Sequence, residues 1–209
     1  MEQRSEAWFQ TRLGKVTASR IADVMAKLKT GKASASRQNY QAQLVTERLT
    51  GSVADSYTNA AMQWGMDNEA QARAMYAFHT GIETVEVAFV DHPEIADSGA
   101  SPDGYAGEDG LVEIKCPNSA THIGTLKGEN IPDKYIKQMQ WQMACTGRKW
   151  CDFVSFDPRM PVEMQLHIER VERDDDLIAE IETEVTAFLE DVAADVSELT
   201  DKYLTKEAA

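Results

Sequence analysis

The spacing of apolar residues predicts three helices in the first part of the chain. VTASRIADVMAK begins a helix near residue 18 and places Ile21 and Val24 on one side. SRQNYQAQLVTERLTG predicts a second helix, which ends at Gly51 because glycine readily takes the left-handed conformation of a helix terminus. NAAMQWGMDNEAQARAMYAFHTG predicts a third helix, with Ala72 and Tyr76 on its inward face.

The middle of the chain carries patterns typical of strands. ETVEVAFVDH combines alternation with β-branched residues. Residues 98–103 and 110–116 are expected to pair as a hairpin around a glycine-rich connection. PDKYIKQMQWQMACTG then predicts an amphipathic helix that ends at Gly147, and KWCDFVSFDP and VEMQLHIERV predict two further strands.

A long acidic helix is predicted at about 174–205, starting after three aspartates that favour the positive end of a helix. Its apolar residues recur in steps of three and four: Leu177, Ile181, Val185, Phe188, Leu189, Val192, Val196, Leu199 and Tyr203. This stripe either packs on the core or serves a subunit or partner contact. The order of elements predicts an α/β fold, with a central mixed β-sheet flanked by helices.

Composition favours one globular domain over residues 1–209, because 43% of the residues are hydrophobic. No apolar run reaches the length of about 20 residues that a membrane helix needs, and the polar N-terminal stretch is unlike a signal peptide. Three cysteines without a C-x-x-C pair suit a reducing cytoplasm and argue against an iron–sulfur cluster. The four histidines show no zinc spacing, and no P-loop motif is present.

The net charge of −14 at first argues against a nucleic-acid partner. The charge is unevenly distributed, since residues 169–209 hold 14 acidic and 4 basic side chains. The remaining 168 residues therefore carry a net charge of only −4. A basic groove for nucleic acid is compatible with that part of the chain.

Candidate chemistry lies in ASPDGYAGEDGLVEIKCP, residues 100–117. Strand alternation places Glu113 and Lys115 on one face and directs Ile114 toward the core on the other. Asp103 lies in a Pro-Asp-Gly turn, and it comes close to Glu113 if the two predicted strands pair. Two neighbouring carboxylates repel each other unless a cation lies between them, and Mg²⁺ prefers oxygen ligands.

The spacing alone leaves two interpretations of these residues open. In the first, Asp103, Glu113 and Lys115 form a metal-dependent active site, in which the lysine acts on a water molecule or on a developing negative charge. In the second, the hairpin is an ordinary surface feature, and Glu113 and Lys115 are a solvated cross-strand pair.

Six segments, in order, resemble one branch of the PD-(D/E)-x-K nucleases, the lambda-type phage alkaline exonucleases or YqaJ-like viral recombinases. They cover roughly residues 7–160 and are WFQTRLGKVTASR, WGMDNEAQAR, GASPDG, LVEIKCP, YIKQMQWQMACTG and SFDPRM. The resemblance implies a restriction-endonuclease-like core. It also implies that Asp103, Glu113 and the backbone carbonyl of Ile114 ligate Mg²⁺, and that Lys115 acts on the attacking water.

The same resemblance assigns roles on two helices. Glu69 matches the family's helix-borne acid, which helps to hold a second metal ion or its water, so two Mg²⁺ ions, or Mn²⁺ in their place, are implied. Gln138 matches a glutamine near the cleavage site. The alternative for both residues is an ordinary solvated position on a helix.

The family acts on 5′-phosphorylated ends, and the N-terminal segment offers groups for a phosphate. Arg12 is suited to bidentate phosphate contacts, and Thr17 and Ser19 lie at a predicted helix start, where free N–H groups favour an anion. Ser101 is a further hydroxyl donor. The alternatives are a surface salt bridge for Arg12 and a simple helix cap for Thr17.

Two further positions are candidates for DNA contact. Lys29 either touches the DNA backbone or is solvated. Met62 could wedge between the strands at an opening end, because unstacked bases need an apolar partner. For the nearby Trp64 we favour a core position.

The resemblance implies a Mg²⁺-dependent 5′→3′ exonuclease that degrades linear double-stranded DNA from 5′-phosphorylated ends to 5′-mononucleotides. The remaining 3′ single strand would serve recombination by annealing. A ring-shaped homotrimer and a single-strand annealing protein as partner are implied in the same way, and no membrane. The alternatives are another PD-(D/E)-x-K endonuclease, a Cas4/RecB-like nuclease, or a catalytically silent module that binds DNA ends.

Overall fold

Two β-sheets with helices packed against them form the framework of the chain. The computed structural model describes residues 3–28, 30–53 and 60–204. The α-helices in these ranges are α1 (Glu6–Arg12), α2 (Ile21–Val24), α3 (Ala35–Thr50), α4 (Ala60–Thr80), α5 (Ser119–Leu126), α6 (Asp133–Thr146) and α7 (Asp175–Tyr203). Single 3₁₀ turns occur at Ala18–Arg20 and Val162–Met164.

The strands form one mixed sheet of five and a smaller one of three. They are β1 (Val16–Thr17), β2 (Thr84–Val85), β3 (Val90–Asp91), β4 (Ser98–Ala100), β5 (Gly104–Ala106), β6 (Gly110–Lys115), β7 (Trp150–Phe156) and β8 (Leu166–Glu172). The larger sheet has the order β2-β5-β6-β7-β8, in which only β6 and β7 are parallel. The smaller has the order β1-β4-β3. The predicted α/β class with mixed sheets and flanking helices is confirmed.

The hairpin that carries the candidate site is shorter than the sequence predicts. β6 pairs with β5 through Gly104↔Val112 and Ala106↔Gly110, whereas residues 98–100 form β4 in the other sheet. The expectation that residues 98–103 form one arm of the hairpin is therefore wrong. The physical reason is Pro102, which has no N–H for a ladder and ends β4 before the chain crosses to the larger sheet.

The helix ends follow their local chemistry. Ser34 caps α3 by accepting a hydrogen bond from the Arg37 N–H at 3.2 Å, and Gly51 ends that helix with φ 64°. Gly147 ends α6 with φ 70°. Asp174 caps α7 by accepting from the Leu177 N–H at 3.0 Å, as the aspartate run indicates.

The first predicted helix is much shorter than expected. The segment that starts at residue 18 forms one 3₁₀ turn and the four-residue α2, and it ends at Val24. Two helices were not predicted. These are α1, capped by Ser5, and α5, capped by Asn118, and both are short enough that their periodicity is weak.

Strand β6 is covered on both faces. Val112 and Ile114 pack with Ala72 and Tyr76 of α4, on the face that the alternation directs toward the core. Leu111, on the opposite face, packs with residues of α6. Glu113 shares the face of Leu111, so α6 covers it as well.

Helix α7 packs on the core along most of its length. Its buried residues belong to one cluster with α3 and the N-terminal segment: Ile178, Ile181, Val185, Phe188 and Val192. Toward the C-terminus the stripe becomes exposed, with Tyr203 at 66%. The core interpretation therefore holds for the first part of the stripe. In the described ranges no helix combines the length and the hydropathy of a bilayer span.

Candidate active site

The turn between the two sheets brings Asp103 against strand β6. The Asp103 Oδ2 accepts a hydrogen bond from the backbone N–H of Ile114 at 2.6 Å. This N–H lies beyond the last β5 residue that pairs with β6, so the aspartate side chain satisfies a donor that has no strand partner there. Asp103 and Glu113 thereby meet at one edge of the strand.

The Glu113 carboxylate is buried, with only 1% of the residue exposed, and it accepts three hydrogen bonds. The Lys115 ammonium and the Gln138 amide both donate to Oε1, the latter at 2.6 Å. The Gln142 amide donates to Oε2, also at 2.6 Å. A buried carboxylate is tolerated only with such partners, so the interpretation of a solvated surface pair does not describe this strand.

Lys115 is held as a cation. Burial alone would lower its pKa, but the carboxylates of Glu113 and Asp103 outweigh that effect and raise it above the ordinary value. Its Nζ also lies 5.0 Å from the centre of the Tyr135 ring. In this state the lysine is a hydrogen-bond donor and a positive charge at the site.

Among these side chains, Asp103 is the one whose charged form is disfavoured. Burial, together with the negative charges of Glu113 and Glu69, raises its pKa from 3.8 to about 8, although Lys115 and the Ile114 N–H act in the opposite direction. The site therefore holds more negative charge than its own cation neutralises. A divalent cation would relieve that excess.

The donor set fits one hard cation. In a strand the N–H and C=O of one residue point to the same edge, so the Ile114 carbonyl is directed to the side of Asp103. Two carboxylates and a backbone carbonyl are oxygen ligands of the kind that Mg²⁺ takes, with waters completing its shell. Within the described ranges, no three side chains of His, Cys, Asp or Glu are grouped to hold a metal ion.

Glu69 lies at the edge of the site but is engaged by arginines. Its Oε2 lies 2.5 Å from Nη2 of Arg4, and its Oε1 lies 3.0 Å from Nη2 of Arg73. Its charge still contributes to the raised pKa of Asp103. The interpretation of Glu69 as a solvated helix residue does not fit these contacts.

Arg73 and Gln142 are site residues that the sequence analysis missed. Arg73 lies four residues after Glu69, and Gln142 lies four residues after Gln138. Side chains at this spacing share one face of a helix, so the signal was present in EAQAR and QMQWQ. The spacing could not show that this face of α4 contacts Asp103 and that this face of α6 contacts Glu113.

Three of the four predicted phosphate-binding residues, all but Ser101, line a separate cavity of about 440 Å³ between the N-terminal segment and α3. Arg12, Thr17, Ser19 and Met62 all contribute to its wall. Burial lowers the pKa of Arg12 to about 10, against the opposing charges of Tyr40 and Glu47, so the guanidinium is still cationic at neutral pH.

Arg12 lies over the Trp8 ring, with its guanidinium carbon 3.8 Å from the ring centre. In the described part of the chain no carboxylate lies within ion-pair distance of it, so the salt-bridge alternative is not seen there. The Trp8 indole N–H donates to the Ser101 hydroxyl at 3.0 Å. Ser101 precedes Asp103 by two residues, which places the cavity beside the candidate active site.

The structure differs from the predicted phosphate pocket in two details. The Thr17 side chain makes no capping hydrogen bond, although its backbone N–H donates to the Tyr40 hydroxyl at 3.2 Å. The helical segment that begins after it is only a turn or two long, so this predicted helix start attracts an anion less than the start of a long helix would. Arg12 and the hydroxyls of Ser19 and Ser101 stay the predicted anion-binding groups, since the Ser101 oxygen accepts from Trp8 and its O–H can still donate.

The two candidate DNA contacts have different outcomes. Met62 is 53% exposed in the first turn of α4, so its predicted role as a wedge stays a prediction. Trp64 is partly buried beneath the guanidinium of Arg159, 4.3 Å from the ring centre. Lys29 lies outside the described residues.

The mixed sheet, with Asp103, Glu113 and Lys115 at one strand edge, has the architecture of a PD-(D/E)-x-K nuclease fold. A family model of the YqaJ-like viral recombinase domain matches residues 7–149. The chain belongs to this family. The comparison with curated proteins gave no match.

Solved structures agree with this assignment. The chain is 56% identical to the alkaline exonuclease LHK-Exo from Laribacter hongkongensis, with a TM-score of 0.89, and the match covers 96% of this chain and 98% of that one. The same protein in complex with dAMP gives a TM-score of 0.90 at the same identity and coverage. A phage-related exonuclease from Haemophilus somnus 129PT shares the fold, with a TM-score of 0.68 at 19% identity, over 88% of this chain and 96% of that one.

Proposed function

We propose that this protein is a Mg²⁺-dependent exonuclease that degrades linear double-stranded DNA in the 5′→3′ direction from 5′-phosphorylated ends. The observation that carries the proposal is the buried Glu113 carboxylate, held by three donors beside Asp103 and the cationic Lys115. A relative of 56% identity is an alkaline exonuclease. That relative binds dAMP, a nucleoside monophosphate like the products that such an enzyme releases.

The roles of the side chains follow from their contacts. Gln138 and Gln142 fix the two oxygens of Glu113, and the Ile114 N–H fixes Asp103. When bound by Asp103, Glu113 and the Ile114 carbonyl, Mg²⁺ would stabilise negative charge on the phosphoryl oxygens, and Mn²⁺ would do the same.

Lys115 supplies the remaining positive charge. Its ammonium donates hydrogen bonds, so it orients the attacking water and stabilises charge that develops on the scissile phosphate. Glu69, whose two oxygens each pair with an arginine and keep a further lone pair, would hold a second ion or its water.

The cavity beside the site supports an end-specific reaction. A terminal phosphate bound by Arg12 and the Ser19 hydroxyl would leave the neighbouring phosphodiester within reach of Asp103. Since only a chain end carries a free 5′ phosphate, such a pocket selects ends over internal bonds. The product is a 5′-mononucleotide, and the opposite strand is left single-stranded at its 3′ end for annealing.

Assembly and partners are part of the same proposal. A ring-shaped homotrimer would place Lys and Arg side chains around a DNA channel while the acidic α7 faces outward, which reconciles DNA binding with a net charge of −14. The exposed 3′ strand would pass to a single-strand annealing protein. The three free cysteines suit the reducing cytoplasm of a bacterium or a phage-infected cell.

The test uses linear duplexes blocked at either the 5′ or the 3′ ends, and a covalently closed circle, each with and without Mg²⁺. We expect nucleotide release from the 3′-blocked duplex only with Mg²⁺, and none from the 5′-blocked duplex or the circle. Cleavage of the circle at the rate of the linear duplex would favour an endonuclease. Binding of DNA ends without release under all conditions would favour a catalytically silent module.

A further inference from the structure

The Arg73 guanidinium lies 3.5 Å from the Thr84 hydroxyl and 3.9 Å from the exposed Glu86 carboxylate, and it makes closer contacts with two residues of the candidate site. Its Nη2 lies 3.0 Å from Oε1 of Glu69, one turn earlier on α4. Its Nη1 donates to the backbone carbonyl of Asp103 at 2.6 Å. Only 16% of the Arg73 side chain is exposed, so these contacts are largely shielded from water. The guanidinium therefore bridges α4 and the turn that carries Asp103.

The contact with Glu69 alone has an ordinary explanation. Glutamate and arginine four residues apart often pair on a helix surface, with little effect beyond the helix. The contact with Asp103 is different, because it joins residues 30 positions apart in sequence. It fixes the main chain of Asp103 from one side, while the Ile114 N–H fixes its carboxylate from the other.

The absence of a side chain at Gly104 is independent evidence that the fold accommodates this guanidinium. A Cβ at Gly104 would lie 2.9 Å from Nη1 of Arg73 and 3.3 Å from the backbone oxygen of Val85. The backbone of Gly104 does not have a positive φ, so conformation alone does not demand glycine at this position. The space above Gly104 is occupied by Arg73 itself.

We infer that Arg73 is a positioning residue that sets the place of Asp103 relative to Glu69 at the active site. The inference rests on the proposed function and deepens it. A planar guanidinium offers two nitrogens on one edge, so it can bind the Glu69 carboxylate and the Asp103 carbonyl at once. A lysine at this position keeps the charge but has a single nitrogen, and it loses one of the two contacts.

The test compares Arg73→Lys with Arg170→Lys, a matched control. Arg170 also holds a carboxylate with two nitrogens, at 2.8 and 3.0 Å from Asp152, but on β8 and away from Asp103. Two quantities are measured for each variant. The first is the Mg²⁺ concentration that gives half of the metal-induced rise in melting temperature without DNA, and the second is kcat and KM for a linear duplex.

For Arg73→Lys we expect roughly a tenfold higher Mg²⁺ half-saturation and a kcat lower by roughly 10- to 100-fold, with KM for DNA within about threefold of the wild type. Arg170→Lys should keep the wild-type Mg²⁺ half-saturation. An unchanged Mg²⁺ half-saturation in Arg73→Lys would overturn the inference, as would a change confined to KM for DNA, because the latter would indicate a contact with the substrate.

A second variant covers the case in which Arg73→Lys does not fold. Gly104→Ala pushes the guanidinium from its place while leaving Arg73 intact, so it should also raise the Mg²⁺ half-saturation, and a wild-type value would overturn the inference. Failure of the proposed function looks different, since the wild type itself would then release no nucleotides.

Discussion

Replacement of Asp103 by asparagine should stabilise the metal-free protein at alkaline pH and abolish its activity. Burial and the charges of Glu113 and Glu69 raise the pKa of Asp103 from 3.8 to about 8. Between these values the folded protein holds a proton that the unfolded chain has lost. The wild-type free energy of unfolding therefore falls as the pH rises from about 4 to about 8, and the full cost is present above pH 8.

The size of the effect follows from the shift. One pH unit corresponds to about 1.4 kcal/mol, so the charged carboxylate costs at most about 6 kcal/mol at pH 9. Because Asp103 is only partly buried, water screens some of this cost, and we expect a gain of about 2–3 kcal/mol for Asp103→Asn at pH 9. An asparagine oxygen can still accept from the Ile114 N–H, so the hydrogen bond is retained.

The assay is urea unfolding at pH 5 and pH 9 with a chelator present. Asp103→Asn should exceed the wild type only slightly at pH 5, where little of the cost has yet appeared, and by much more at pH 9. The control is Asp157→Asn. Burial opposes the Asp157 charge, but hydrogen bonds from Arg159 and Ser119 prevail and lower the pKa of Asp157 to about 2, so this variant should lose stability at both pH values. Equal stability changes for Asp103→Asn at the two pH values would show that the pKa of Asp103 is not raised in the folded protein.

Three further predictions follow from other contacts. Gln142→Leu removes a buried donor to Glu113 and should lower kcat by roughly 10- to 100-fold in a nucleotide-release assay, with an unfolding free energy about 1–3 kcal/mol below that of the wild type. Arg12→Ala should abolish most of the preference for a 5′-phosphorylated end, measured as the ratio of the digestion rates of phosphorylated and dephosphorylated duplex. An unchanged ratio would show that Arg12 does not bind the terminal phosphate. Gly99→Ala should lower the melting temperature by several degrees, because a Cβ there would lie 2.5 Å from the backbone oxygen of Val90; a wild-type melting temperature would contradict this.

Local chemistry made part of this fold predictable. Helices α3, α6 and α7 carry their own start or stop signals, such as the left-handed glycines at 51 and 147, and these act within a few residues. The alternation in LVEIKCP was equally local. It correctly placed Ile114 on the core face, and it put Glu113 on the opposite side.

The position of Asp103 depended on information that no local pattern contains. Residues 98–100 look like an extension of the hairpin, but their partners are β1 and β3, which are distant in sequence. The bonds from Arg73 to Asp103 and from Gln142 to Glu113 likewise join separate elements. Helical spacing could show that each of these side chains shares a face with a known candidate, but not what that face meets.

We propose that Lys115 acts with Asp103 and Glu113 in hydrolysis, and the rate of Mg²⁺-dependent nucleotide release by Lys115→Met tests this role. Lys137→Met is the matched control, since within the described residues Lys137 pairs with Asp133, one turn earlier on α6, whose side chain is 76% exposed. We expect a loss of roughly 10²- to 10³-fold for Lys115→Met and a rate within about twofold of the wild type for Lys137→Met. A Lys115→Met protein that is folded and releases nucleotides at the wild-type rate would contradict the proposed role of Lys115.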